Sequence, residues 1–452
     1  MRNLSPGLLL LLAFVSVGCD APAVATSAPE PTVADSAGVQ ILRFPASALE
    51  VSAPRQLAPD PAVRIGVVEG PAEYQWTRPM AAVRLPDGGF AVAEGTPAEI
   101  RVFDAGGTFV RRIGRPGEGP GEFRSPQALA RGPDGSILAW DARTRRRSHF
   151  AADGTLLAEA TLQDLGSLRS ISRAALLPDG RLVVIGGTGG PDAVANRGQA
   201  REPLEIRAIA SPAADVSGAG GPESLRIGPL LGMIAGDEEV VSMERNASGN
   251  VVSIMISGQW YWGKLFTWAS PGGVWAADRV GVEARHYRAG ADGGLDRVIR
   301  VDGAGPRVTR ALTDSVEALE VGRWERQMGD ELTPEIRTMI RDDMAGRDYP
   351  ETFPAMDAVF ADARGNPWIG LPNPPSPWLV SPVVREVPRW LVFGGAAGGS
   401  PGEPAAGLHL LGVIHLPPGS HPLWADDEGV LLVRIDPDLG VPYIEWYAWV
   451  DG

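Results

Sequence analysis

The stretch LPDGGFAVAE, Leu85–Glu94, returns as GPDGSILAWD at Gly132–Asp141 and as LPDGRLVVIG at Leu177–Gly186. Each copy is a turn followed by an alternating strand, and Pro86, Pro133 and Pro178 lie 47 and 45 residues apart. Weaker copies are SPGGVWAAD from Ser270, DARGNPWIG from Asp362 and ADDEGVLLVRID from Ala425. Asp-Gly and Gly-Gly supply the positive φ angles of tight hairpins. A second turn follows the first in FDAGGTFVRRIG (Phe103–Gly114) and FAADGTLLAEATL (Phe150–Leu162). Two hairpins every ~45 residues is the spacing of four-stranded propeller blades. The pattern predicts an all-β chain, a six-bladed β-propeller of four-stranded antiparallel blades.

Between these turns lies RRIGRPGEGPGEFRSPQAL, Arg111–Leu129. A phosphate cradle would need backbone N–H groups opening onto a helix, with a Lys for the phosphates. This loop has no Lys, carries Glu118 and Glu122, and runs into a strand pattern. The segment Ile100–Leu156 resembles the NHL-repeat and TolB-like families of six-bladed β-propellers, lipoprotein propellers among them. The resemblance implies that Gly117, Gly119 and Gly121 turn the chain at the rim between blades and that Phe123 packs there.

The N-terminus reads as a sorting signal. A basic MRN precedes the apolar LLLLLAFVSV, too short to span a bilayer. SVGCD then resembles the lipobox of bacterial lipoproteins, which implies cleavage before Cys19 and lipidation of its thiol; Ser16 stands where that family usually has Leu. Residues 1–18 are thus a lipoprotein signal peptide and 19–37, rich in Ala, Pro, Ser and Thr, a flexible tether. Residues 38–452 are expected to form the propeller, and the resemblance implies a monomer held in the bacterial cell envelope by its lipid alone and facing the periplasm or the exterior. Cys19 is the single cysteine, so no disulfide forms within the chain. A net charge of −14 opposes nucleic acid and polybasic contact with anionic lipid.

Residues 313–347 change to a 3.6-residue period through Leu319, Trp324, Met328, Leu332, Ile336, Met339 and Ile340. They predict a helical insertion between blades four and five, with Asp314 and Glu317 as a capping box and Thr333-Pro334 opening a second helix. Residues 186–225 and 394–408 read as loose, the latter breaking a hairpin of the last blade. A closed ring must join its ends, so either AGVQILRF (Ala37–Phe44) or VPYIEWYAWV (Val441–Val450) is expected to complete the blade the other begins.

Chemistry is sparse. Six-bladed lactonase-like propellers hold calcium with Glu, Asn and Asp of inner strands, but the asparagines here do not repeat one position. Glu94, Asp141 and Asp278 do recur at strand ends, where a carboxylate accepts turn N–H groups. The five histidines lack HxxxH or HExxH spacing, and no GxSxG is present. No metal or cofactor is expected.

Two clusters suit a binding surface. One is SGQWYWGKLFTW with Trp260 and Trp262; the other is the basic run Arg143, Arg145, Arg146 and Arg147. Blade packing and a solvated hairpin tip are the plain alternatives. Trp324 and Met328 of the insertion are further candidates. The favoured function is a non-enzymatic envelope module binding a protein, peptide or glycan; a metal-dependent lactonase-like hydrolase or lyase, or a structural spacer, is the alternative.

Overall fold

The structure, a computed structural model of the chain, describes residues 28–189, 199–210, 223–246, 248, 251–257, 262–279, 281–303, 305–329, 332–345, 349–372, 388–395, 407–436 and 438–451. These residues form antiparallel meanders in sequence order. The plainest is Pro79–Arg84, Phe90–Gly95, Ala98–Phe103 and Phe109–Ile113, each strand bonded to the next. The meander 126–164 repeats it, and 173–245, 266–301, 358–415 and 420–451 continue the series.

The repeated turns close as their letters require. Gly88, Gly135 and Gly180 take φ of +85°, +81° and +82°, which an L side chain rarely adopts. The preceding aspartate accepts the N–H two residues on, Asp87 from Gly89 at 2.9 Å and Asp179 from Arg181 at 3.0 Å. Asp362 and Asp426 do the same for their hairpins.

The meanders are radial because their first strands meet. Strand Pro79–Arg84 touches Pro126–Arg131 on one side and Ser420–Ala425 on the other. Arg173–Leu176 touches Pro126–Arg131 and Phe266–Ser270, and Phe266–Ser270 touches Ala358–Ala361. The Ala363 N–H donates to the Ala425 carbonyl at 2.8 Å across the remaining gap. This is the arrangement of a β-propeller, in which first strands surround an axis and last strands face out. Apolar side chains fill the wedges between meanders. Phe123 (1% exposed), Ile113, Ile137 and Phe150 pack between 79–113 and 126–164.

Ring closure uses a different N-terminal segment from the one expected. The last strand, Pro442–Asp451, pairs with Arg55–Leu57 (Trp449 opposite Leu57) and with Val63–Ile65 (Ile444 opposite Ile65). Val39–Phe44 instead adds in parallel to the outer strand Gly294–Val301, and Thr32–Ser36, inside the stretch read as a tether, pairs with Val39–Phe44. Both additions cover an exposed sheet edge.

Two further expectations change. Gln199–Ala210 and Glu223–Arg245, within or beside the stretch read as loose, are long paired strands. Their alternation is real, with Leu204 and Ile206 at 4% and 0% exposure. Glu223–Arg245 also pairs in parallel with Leu156–Asp164, fusing two meanders into one sheet. The Gly-rich 394–408 joins Arg389–Gly394 to His409–His415, so it belongs to the meander before the last; residues 396–406 lie outside the described residues.

Helices α1 (Arg310–Met328) and α2 (Pro334–Ala345) occupy the insertion. α1 begins at Thr309, whose hydroxyl accepts from the Leu312 N–H at 3.3 Å, so Asp314 and Glu317 lie inside the helix and form no capping box. Thr333 opens α2 as its spacing predicts, accepting from Ile336 at 3.4 Å. Val316 and Leu332 are buried, Arg337 bonds Glu325 at 2.8 Å across the pair, and Met339 is 64% exposed rather than packed.

Candidate functional site

The first strands are built from small residues on the axial side. Ala81, Ala128, Ala174 and Ala269, with Ala363 of the turn after Ala358–Ala361, leave between them a cavity of about 280 Å³. Its wall takes residues from the first strand of each meander or the turn after it. Met80, Leu423, Trp268 and Trp424 add apolar surface; Gln127, Arg131, Ser172, Arg173, Thr267 and Asp362 are its polar groups. A concave, mainly apolar wall with few convergent polar groups is the usual form of a small-ligand site.

The polar groups differ in how they are held. Arg173 donates to Asp237 at 3.1 Å. Asp362 accepts from the Arg364 and Asn366 N–H groups and from the Asn366 amide at 2.7 Å, while burial pushes its carboxyl up to about 6. The Trp424 indole N–H donates to Asp426 at 3.3 Å, which fixes the ring. The Arg131 guanidinium lies over that ring, 5.2 Å from its centroid.

A second cavity, of about 300 Å³, lies where the insertion leaves and rejoins the sheets; Trp262, Arg201, Arg279 and Phe353 line it. Arg279 is buried and pairs with Asp357.

The residues singled out from the sequence scatter over this frame. Cys19 and Trp260 lie outside the described residues. Trp262 is half-buried in the second cavity, and Trp324 and Met328 are half-buried on α1. The basic run does not present four free cations. Arg146 donates to the carbonyls of Glu118 (3.0 Å), Gly119 (2.8 Å) and Glu122 (2.5 Å) and pairs with Glu159 at 3.2 Å. Arg147 donates to the Gly180 carbonyl at 2.7 Å, Arg145 holds φ of +53°, and Arg143 alone is exposed. Arg146 therefore ties down the Gly-rich joint, a role that its place in a charge run conceals.

In that joint Gly117 and Gly121 have φ of +156° and +70°, as a sharp turn needs, whereas Gly119 is not in the left-handed region. Glu122, by its charge a repellent of phosphate, accepts from the Gly119 N–H at 2.8 Å and from Arg115 at 2.8 Å. These bonds hold its carboxyl below the usual range.

Glu94 and Asp141 are turn carboxylates, as their register predicts. Asp141 (1% exposed) accepts from the N–H groups of Arg124 (2.6 Å), Ser125 (2.7 Å), Arg143 (2.9 Å) and Thr144 (2.8 Å). Glu94 (0% exposed) accepts from Thr77, Arg78 and Thr96. Each clamps the entry to its own first strand onto the turn after the second. Because these two kinds of segment share an edge, the Arg143–Arg147 turn, Trp262 and the helical insertion all belong to one face of the ring.

One arrangement has no sequence signal. The Ser270 hydroxyl lies 3.1 Å from Nε2 of His286, whose Nδ1 lies 2.7 Å from Asp296. The three come from the first, third and fourth strands of one meander. Distances alone match a nucleophile, base and orienting carboxylate. Ser270 is 2% exposed, however, and its hydroxyl also reaches the Gly273 carbonyl at 3.2 Å, while Trp275 packs 4.9 Å from the imidazole. The trio ties three strands together. A fluorophosphonate probe is expected to leave Ser270 unlabelled, as mass spectrometry of the native protein would show; labelling there would make the protein a serine hydrolase.

No protein-family model matches the chain, and no curated protein does. Among solved structures it is similar to an exported protein of Bacteroides fragilis, at 11% identity over 91% of this chain and 99% of that one, TM-score 0.40. It is likewise similar to a catalytically inactive virginiamycin B lyase from Staphylococcus aureus with quinupristin (10%, 86% and 98%, TM-score 0.37). A third is the Cps50 (Swd1) β-propeller domain of Myceliophteria thermophila (9%, 82% and 96%, TM-score 0.37).

Proposed function

We propose that this is a lipid-anchored protein of the bacterial cell envelope whose propeller, of six blades and NHL- or TolB-like type, is a non-enzymatic binding module for a protein, peptide or glycan. The axial cavity is the receptor, taking a side chain or chain end of the partner. The meanders 79–113, 126–164, 173–245, 266–301, 358–415 and 420–451 support the blade count.

The cavity wall carries the reading. Among the described residues it offers alanine and aromatic surface with the guanidinium groups of Arg131 and of Arg173, the latter paired with Asp237, and Asp362 is the one carboxylate on it. Among the described residues no three His, Cys, Asp or Glu side chains come together as a metal site. A lactonase of the calcium type would need several oxygen ligands there, so the donor set on this wall favours binding over hydrolysis.

Affinity capture from envelope extract tests the reading. The parent should retain a partner that Ala128→Leu, which fills the cavity, loses while melting like the parent. A preparation that instead holds stoichiometric calcium and opens lactones would make the protein an enzyme.

Anchoring is tested separately. No helix among the described residues is long and apolar enough to cross a membrane. Cys19→Ser should move the protein from the detergent phase to the aqueous phase or leave an uncleaved precursor; unchanged partitioning would remove the lipid anchor.

A further inference from the structure

Arg84 and Arg131 occupy the same register in neighbouring meanders, each ending its first strand, opposite Phe90 and Ile137 respectively. Both lie over an indole, Arg84 over Trp446 at 4.5 Å and Arg131 over Trp424 at 5.2 Å. Arg84 is completed by carboxylates, Glu428 at 2.7 Å and Asp426 at 3.4 Å. Arg131 has the indole and, among the described residues, no carboxylate and no hydrogen-bond acceptor. It lines the axial cavity instead.

A half-buried guanidinium on an aromatic shelf keeps its planar fork of donors available on its edge, the geometry that takes a carboxylate bidentately. On a chain of net charge −14, many carboxylates were available to fill this place, as they fill it at Arg84.

We propose that Arg131 and Trp424 form an anion subsite in the axial cavity, and that the cavity's ligand carries a carboxylate on a small apolar body. This rests on the binding reading above. The body meets Met80, Leu423 and Trp268; the carboxylate meets Arg131. A monoanion balances the Arg131 guanidinium, the other arginine of the wall, Arg173, being paired with Asp237 at 3.1 Å. A dianion such as phosphate would carry an uncompensated charge into a wall that already holds Asp362.

The test uses the full mature chain in detergent, with 4-fluorobenzoate and its neutral isostere 4-fluorobenzamide as probes, read by fluorine NMR against detergent alone. The parent is expected to bind fluorobenzoate saturably and fluorobenzamide at least tenfold more weakly. Arg131→Gln should lose at least tenfold for the acid and little for the amide, with Arg131→Lys intermediate, since it keeps the charge without the fork. Trp424→Leu should weaken the acid without touching Arg131, and Ala128→Leu should abolish both. 4-Fluorophenyl phosphate is expected to bind more weakly than the acid, and tighter binding of it would overturn the monoanion assignment.

Equal binding of acid and amide, or an Arg131→Gln protein that binds the acid like the parent, overturns the anion subsite and leaves the cavity as a receptor. No binding of either probe overturns the subsite as well. The envelope capture with Ala128→Leu then decides whether the receptor reading falls with it.

Discussion

Asp141→Ala is expected to lower the free energy of unfolding by about 3–5 kcal/mol, among the largest effects of any single substitution in this chain, because it strips four part-buried N–H groups of one shared, buried acceptor. Each orphaned donor away from water costs roughly 1–3 kcal/mol, and those nearest the surface recover part of that from solvent. The groups lie on two segments, Arg124–Ser125 before the first strand and Arg143–Thr144 after the second, so the loss also frees that edge of the hairpin. Asp141→Asn should fall between, since one carbonyl oxygen replaces two carboxylate oxygens and an NH₂ group turns toward donors. Urea unfolding at fixed m-value is the measurement. A variant within about 0.5 kcal/mol of the parent, the range of ordinary surface substitutions, would mean the clamp is not a stability element.

Glu94 in the preceding meander makes the same kind of clamp with one donor fewer, so Glu94→Ala should follow the same direction with a smaller loss. Both positions are legible in the sequence, because a carboxylate recurring at a fixed offset after a glycine turn has few other local partners. The turns themselves are legible for the same reason. Pro-Asp-Gly sets φ, the Asx bond and the hairpin within three residues, and nothing distant can override it cheaply.

What the sequence does not reveal depends on distance. Which N-terminal segment closes the ring is decided by pairing across nearly the whole chain, and Val39–Phe44 and Arg55–Ile65 are both plausible strands locally. Glu223–Arg245 is hidden because Gly228, Pro229, Gly232 and Gly236 break its alternation, while its partners Gln199–Ala210 and Leu156–Asp164 supply the order. Ser270, His286 and Asp296 stand on three strands of one meander and have no motif spacing. Arg146 reads as surface charge since its three carbonyl partners lie 24 to 28 residues upstream. The cavity, too, is silent in the sequence: alanine at one axial position is unremarkable until several strands bring theirs together.

The second large effect belongs to a glycine the repeat pattern does not single out. Gly114 takes φ of +72°, and a Cβ there would overlap the Phe123 ring and the Gly121 carbonyl. Phe123 cannot give way, being 1% exposed and packed 5.9 Å from Phe150 in the wedge between two meanders. Gly114→Val therefore combines left-handed strain of about 1–3 kcal/mol for a β-branched residue with overpacking of about 1–3 kcal/mol. The expected loss is about 3–5 kcal/mol, with no ligand involved.

Gly121 shares the strain, at φ of +70°, but a Cβ there meets only ordinary contacts with Leu156 and Phe150, so Gly121→Val should cost about 1–3 kcal/mol. Gly119 has neither problem in full: its backbone is not left-handed and the nearest atom to a new Cβ is the movable Glu122 carboxylate. Gly119→Ala should cost under about 1 kcal/mol. The order Gly114, Gly121, Gly119 in thermal and urea unfolding is what a joint between packed meanders requires. A reversed order, with Gly119 the most sensitive, would mean that this loop is held by something other than φ and the Phe123 wedge.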